Sequence, residues 1–249
     1  MPPQKSSNLL IVCLIASVPS LAQSSEADAA KPWFFVVPER IPHQTTPPAI
    51  RELPANARQI PALTLNATVR RQAGHGKPII AKKTFVRTVD RVHVSAGGDR
   101  EWLFVRNPVD ARRVSGSVVD HKTRTIVTYE ESELRNAMNI GNWIDALTLG
   151  FDIDVLKRLK PTGRSRKEAG IRFEQYAADA ADRNVTIREV WWSEEQLLAS
   201  SYTVRVGGDT TRFSITRVAR EASADLLRNP ADRFRNYKVI DYADWLESH

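Results

Sequence analysis

The residues able to do chemistry are few and scattered. The histidines are His43, His75, His93, His121 and His249. Nucleophilic catalysis needs such a base beside a serine or cysteine, and none lies in a G-x-S-x-G or S-x-x-K setting. No two stand three to five residues apart, the spacing that brings two imidazoles to one metal. Asp120-His121 invites reading as a catalytic pair, but neighbours in a strand point to opposite faces. An acid opening the link Asp120-His121-Lys122-Thr123 bonds its own backbone instead, so a hairpin bend is expected. Asp145, Asp152 and Asp154 lack the glycine-containing loop of a calcium site. Glu194-Glu195 are adjacent and cannot straddle a glycosidic bond, whose two carboxyl groups stand about 5 Å or more apart; a turn or helix start is expected. A hydrolase would require His93 or His121 to face a carboxylate or serine in a cleft. The chain therefore reads as a non-enzyme without a cofactor.

The elements around these residues are mostly short strands. The segments 63–71, 79–94, 101–105, 112–119, 123–129, 169–178, 184–192, 200–206 and 211–218 are bounded by turn signals such as Gly97-Gly98 and Gly207-Gly208-Asp209-Thr210. Tyr202, Val204 and Val206 alternate with Thr203 and Arg205, the pattern of an antiparallel sheet covered on one face. Between Tyr129 and Gly150 the period changes. Leu134, Ala137 and Met138 follow the N-cap candidate Ser132, and Ile140, Trp143, Ile144 and Leu147 form a stripe behind the cap Asn142, with Asp145 three residues on and Gly150 as the stop. Short terminal helices are expected over 221–227 and 241–247. Eight or nine strands in meander order predict an α+β, mainly antiparallel β fold: a strongly bent sheet or incomplete barrel with short helices inserted near the middle.

Ahead of this region, Lys5, the apolar run Leu9–Val18 and Ser20-Leu21-Ala22 read as a signal peptide cleaved near Ala22, too short for the roughly 20 residues of a membrane span. The only cysteine, Cys13, lies inside it, so disulfide and thiolate chemistry leave with it. A Pro-rich extension over 23–60 follows, interrupted by the apolar "WFFVV" of residues 33 to 37. The formal charge is +7, and a basic exported protein meets anionic lipid or acidic glycan before nucleic acid. In "KRLKPTGRSRK", residues 157 to 167, six of eleven residues are basic; the stretch is a solvated loop or a patch for an anionic membrane surface. Export and the lack of a basic patch interleaved with stacking aromatics disfavour nucleic acid as a partner.

"EWLFVRNP", the hairpin "VVDHKTRTIVTY", the helical insertion, "KPTGRSRKEAGIRFEQY" and "REVWWSEEQLLASSYTV" occur in an order that resembles the LolA-like superfamily of periplasmic lipoprotein carriers. The resemblance covers about residues 61 to 220, leaving 1–22 as signal peptide, 23–60 as extension and 221–249 as a helical tail. It implies a bent sheet cradling an apolar cavity under short helices, with a lipid or lipoprotein as ligand. In the residues themselves, Trp143, Ile144 and Leu147 on the insertion and Trp102, Phe104 and Trp191 on the sheet either line such a pocket or form ordinary core. The expected function is an exported, non-enzymatic envelope protein, periplasmic or secreted, binding an apolar or amphipathic ligand. The alternative is an interaction module that docks through its Pro-rich arm.

Overall fold

The computed structural model describes residues 57, 59–138, 140–179, 186–206 and 208–248. The signal peptide, Cys13, "WFFVV" and nearly all of the Pro-rich extension lie outside these residues. The strands are β1 (Leu63–Gln72), β2 (Ile79–Arg87), β3 (Arg91–Ser95), β4 (Arg100–Arg106), β5 (Val114–Asp120), β6 (Thr125–Tyr129), β7 (Lys160–Glu168), β8 (Ile171–Ala177), β9 (Ile187–Ser193), β10 (Leu198–Val206), β11 (Asp209–Ala219) and β12 (Lys238–Asp241). They form one curved, unclosed sheet in the order β12-β6-β5-β4-β3-β2-β1-β11-β10-β9-β8-β7. Two antiparallel meanders, β1 to β6 and β7 to β11, are joined where β11 pairs with β1, and β12 alone is parallel, on β6. The fold class is the one the sequence predicts.

Alternation sets the two faces. Leu65, Phe85, Val94, Trp102, Val118 and Val127 sit opposite one another in successive strands, and all are buried. Directly opposed residues share a face, so this row defines the inner face. The row Thr84, Ser95, Glu101, Val119, Ile126 lies on the outer one.

The topology dictates where the helices go. β6 is next to one edge and β7 is the other edge, so residues 130–159 must cross the sheet between them. They do so with α1 (Glu131–Met138), α2 (Trp143–Leu147) and a 3-10 turn over Ile153–Arg158. The Asn142 side chain accepts from the Asp145 N–H while the Asp145 side chain accepts from the Asn142 N–H, the reciprocal cap the sequence implies. Leu149 and Gly150, with φ of 58° and 75°, then reverse the chain. At Gly116 the approach of α1 is so close that a Cβ would stand 2.9 Å from Leu134 Cδ2.

Four local expectations change. Ser132 is not a cap: α1 already begins at Glu131, and at its start the Glu130 N–H donates to Glu133 Oε2. The stretch 79–94 is two strands, broken where the Thr88 hydroxyl donates to Asp90 and accepts the Arg91 N–H. The basic stretch 157–167 is largely strand β7: as an edge strand it is almost wholly exposed and shows no apolar alternation, and cations are how edges resist further pairing. In the tail, 221–227 ends in a turn rather than a helix. The regular elements there are α3 (Pro230–Arg233), β12 and α4 (Tyr242–Glu247). This tail lays Leu227 on Val86 and Leu103 of the outer face before its strand joins β6.

Asp120-His121 is the bend. Asp120 Oδ1 accepts the N–H groups of Lys122 (3.0 Å) and Thr123 (3.1 Å), closing the turn with its own side chain. Glu194-Glu195 likewise open the turn between β9 and β10.

Candidate binding site

The inner face and the crossing helices enclose five of the six aromatic and aliphatic residues picked from the sequence. Trp102 (3% exposed) and Phe104 (1%) are two apart on β4 and point inward, while Trp143 (0%), Ile144 (1%) and Leu147 (0%) press on the sheet from α2. All belong to one apolar cluster with Leu134 and Met138 of α1. Trp191 is not enclosed with them but is partly buried and packs against the margin of that cluster. Its neighbours Val190 and Trp192 are buried, so by strand alternation Trp191 faces the other side. There it is half-buried under the guanidinium of Arg166, 4.3 Å from the ring centroid, and donates to Glu189 Oε1.

Two cations sit on the same inner face. Lys83, Phe85 and Arg87 alternate along β2, and all three are buried. Lys83 Nζ lies 5.5 Å from the Trp102 ring centroid, and desolvation pushes its ammonium down to about 8. Arg87 is completely buried. Its Nη1 donates to the carbonyls of Leu147 (2.9 Å) and Leu197 (3.2 Å), and its Nη2 to that of Gln196 (2.7 Å). Burial pushes this guanidinium down to about 9. The three carbonyls belong to the last residue of α2 and to the β9–β10 turn. One side chain of the sheet therefore holds the end of the crossing segment and the adjacent turn together. Among the described residues no carboxylate pairs with it.

The outer face carries a buried charge of the opposite sign. Glu101 Oε2 lies 2.6 Å from His93 Nε2, Glu101 Oε1 lies 3.2 Å from Arg233 Nη2, and His121 Nε2 stands 3.6 Å away. His121 also meets the Tyr237 hydroxyl (3.0 Å), and its ring lies edge-on to Phe234 at 5.1 Å. Burial alone would raise the Glu101 carboxyl, but its hydrogen bond with His93 and the charges of His93 and Arg233 outweigh that and lower it. Both histidines thus face a carboxylate, as a hydrolase would need. Of the two, His93 is closed off at 1% exposed with Glu101 at 6%, while the His121 side chain stays 29% exposed beside Phe234 and Tyr237 of the tail. No group of three or more His, Cys, Asp or Glu among the described residues is arranged to hold a metal. No described helix is long and apolar enough to cross a membrane.

The space between α2 and the sheet is filled by the side chains of Trp102, Phe104, Trp143, Ile144 and Leu147, so the apolar cavity that the resemblance implies is not open there. Two open hollows lie elsewhere, one of about 350 Å³ beside Thr64, Asn66, Arg217 and Glu221, the other of about 240 Å³ beside Glu189, Ser201 and Arg212. Sequence reasoning missed Lys83, Arg87 and Glu101. The signal for the first two was present in "KKTFVR", where strand period places two cations on the face that Phe85 buries. Glu101 gave no such signal, because its partners come from β3, the β5–β6 turn and the distant tail.

No family model matches the chain, and no curated protein does. Among solved structures the chain is similar to a DUF1329 family protein from Desulfovibrio piger, with 8% identity and a TM-score of 0.34 over 70% of this chain and 92% of that one. It is similar to an outer membrane lipoprotein-sorting protein domain from Vibrio parahaemolyticus, with 7% identity and a TM-score of 0.31 over 64% and 85%. A LolA superfamily protein from Nitrosomonas europaea gives 8% identity and a TM-score of 0.21 over 70% and 95%.

Proposed function

We propose that this is an exported, non-enzymatic binding protein of the cell envelope. In this reading it takes an acyl chain or lipidated segment between the inner face of the sheet and the α1–α2 cover. The supporting observation is Arg87. A buried cation is costly without compensation, and an apolar side chain would fill the same place in a merely structural core. Here the cost is offset by three backbone carbonyls from two covering segments. Carbonyl bonds, unlike a buried ion pair, can be exchanged for water or ligand oxygens when a cover lifts. Arg87 is therefore a clasp. When it releases Leu147, the side chains of Trp143, Ile144 and Leu147 leave the sheet, and an acyl chain takes their place against Trp102 and Phe104. Lys83 then offers a second cation to an anionic head group. Trp191 has no part in this pocket.

In this account residues 61–220 are the binding domain, 1–22 direct export, and 23–60 and 221–249 are accessory. The test is native mass spectrometry with lipid extraction on the mature protein purified gently from its own envelope, followed by titration with palmitate. A co-purifying acyl-bearing molecule, or stoichiometric palmitate uptake, is expected. An apo mass together with no uptake would contradict the reading.

A further inference from the structure

Two hairpin ends lie side by side at one end of the sheet. β1 pairs with both β2 and β11, so the β1–β2 turn adjoins the β10–β11 turn. Gly74 N–H donates to Asp209 Oδ1 (3.2 Å), and Arg71 Nη2 lies 3.7 Å from Asp209 Oδ2, tying the two ends together. Ile79 and Ile80 are 59% and 60% exposed and Val206 is 39% exposed; these are three of the six large apolar residues exposed among the described residues. Ile79 sits opposite Arg71, and Ile80 opposite Arg70, which in turn faces Arg212 on β11. As consecutive strand residues, Ile79 and Ile80 point to opposite sides and cannot both serve one core.

The charge around them is one-sided. Arg70, Arg71, Lys77, Lys82, Arg205 and Arg212 are all exposed. Within residues 70–82 and 205–212, setting aside the neutral His75, Asp209 is the only opposing charge. Six cations less one acid leave +5 of the chain's formal +7 on these two ends. The basic stretch 157–167 is different: Lys157 pairs with Asp154, Lys160 with Asp179 and Arg166 with Glu168. None of its residues is among the exposed large hydrophobics.

We propose that the joined hairpin ends dock the protein on an anionic lipid bilayer. Ile79, Ile80 and Val206 enter the boundary between head groups and acyl chains, while Arg70, Lys77, Lys82, Arg205 and Arg212 meet lipid phosphates. Apolar side chains rimmed by cations fit that surface, because insertion and charge attraction act together where neither alone holds a protein. The proposal rests on export to the envelope and is independent of whether the inner face is occupied.

The test is co-sedimentation of the full mature chain with vesicles of phosphatidylcholine containing phosphatidylglycerol, against vesicles of phosphatidylcholine alone. Binding to the anionic vesicles, weakened by salt, is expected. Ile79→Ser with Ile80→Ser should lower the partition coefficient about tenfold or more. Lys77→Glu and Arg205→Glu should each lower it at least about fivefold, whereas Lys160→Glu with Lys167→Glu should leave it near wild type. Because the altered side chains are exposed, unchanged thermal melting and palmitate uptake separate lost docking from lost folding or lost ligand binding. Equal binding to both vesicles, or wild-type binding by the double serine variant, would overturn the proposal. So would loss of a concentration-dependent dimer in that variant without any vesicle binding by the wild type.

Discussion

The two faces of the sheet each bury charge, and they hold it differently. On the outer face Glu101 is surrounded by His93, Arg233 and His121, so opposite charges and hydrogen bonds converge on one carboxylate. On the inner face Arg87 has only carbonyls, supplied by the end of α2 and the β9–β10 turn. A desolvated ion pair that loses one member leaves the other stranded, which makes it a staple. A cation on carbonyls can let one go and keep the others. The outer arrangement therefore fixes the tail to the sheet, while the inner one closes a cover that is able to open.

The comparison is broken most severely at Glu101. Glu101→Ala strands Arg233 and His93, and a loss of about 3–5 kcal/mol in denaturant unfolding is expected, with the tail from Leu227 onward becoming susceptible to protease. Arg87→Leu should cost less, about 2 kcal/mol for carbonyls left without donors, and its effect should be local. The amides of Thr148 and Leu149, bonded to the Ile144 and Ala146 carbonyls, should exchange faster in hydrogen–deuterium measurements while β3 to β5 stay protected.

Both faces should gain stability as pH rises, the outer one in the acid range and the inner one in the alkaline range. Glu101 has a lowered pKa in the folded protein, so its contribution is present above the unfolded carboxylate value of about 4.3 and is lost as pH falls through the lower folded value. Lys83 is held at about 8 in the folded state. The unfolded chain, with a lysine near 10.4, binds the proton more tightly, so stability should rise between those values. Stability curves of Glu101→Gln and Lys83→Met, flattened at the acid and the alkaline end respectively, would check both signs. Trp191→Ala, which removes only a half-buried ring beneath Arg166, should cost no more than about 1 kcal/mol.

Much of the cover was legible because its signals are local. Asn142, Asp145, the stripe Ile140-Trp143-Ile144-Leu147 and Gly150 lie within a few residues of one another, and each does what its type and spacing imply. β7 and β12 were not legible, since an exposed edge strand buries no alternating face and a strand laid parallel on β6 is fixed by a distant partner. The choice between Trp191 and Trp192 depends on parity, and a one-residue slip exchanges the faces. The irregular pairing of β9 with β10 between Ala199 and Ser201 makes that parity unreadable from sequence alone. The Glu101 cluster joins residues over a hundred positions apart, so no window along the chain contains it.

The most direct test is fluorine NMR of the 5-fluorotryptophan-labelled mature protein during titration with palmitate. The resonances of Trp102 and Trp143, assigned by single replacement with phenylalanine, should shift in proportion to bound ligand, while that of Trp191 stays in place. Movement of Trp191 alone, or of no tryptophan at saturating palmitate, would contradict an inner-face site closed by the Arg87 clasp.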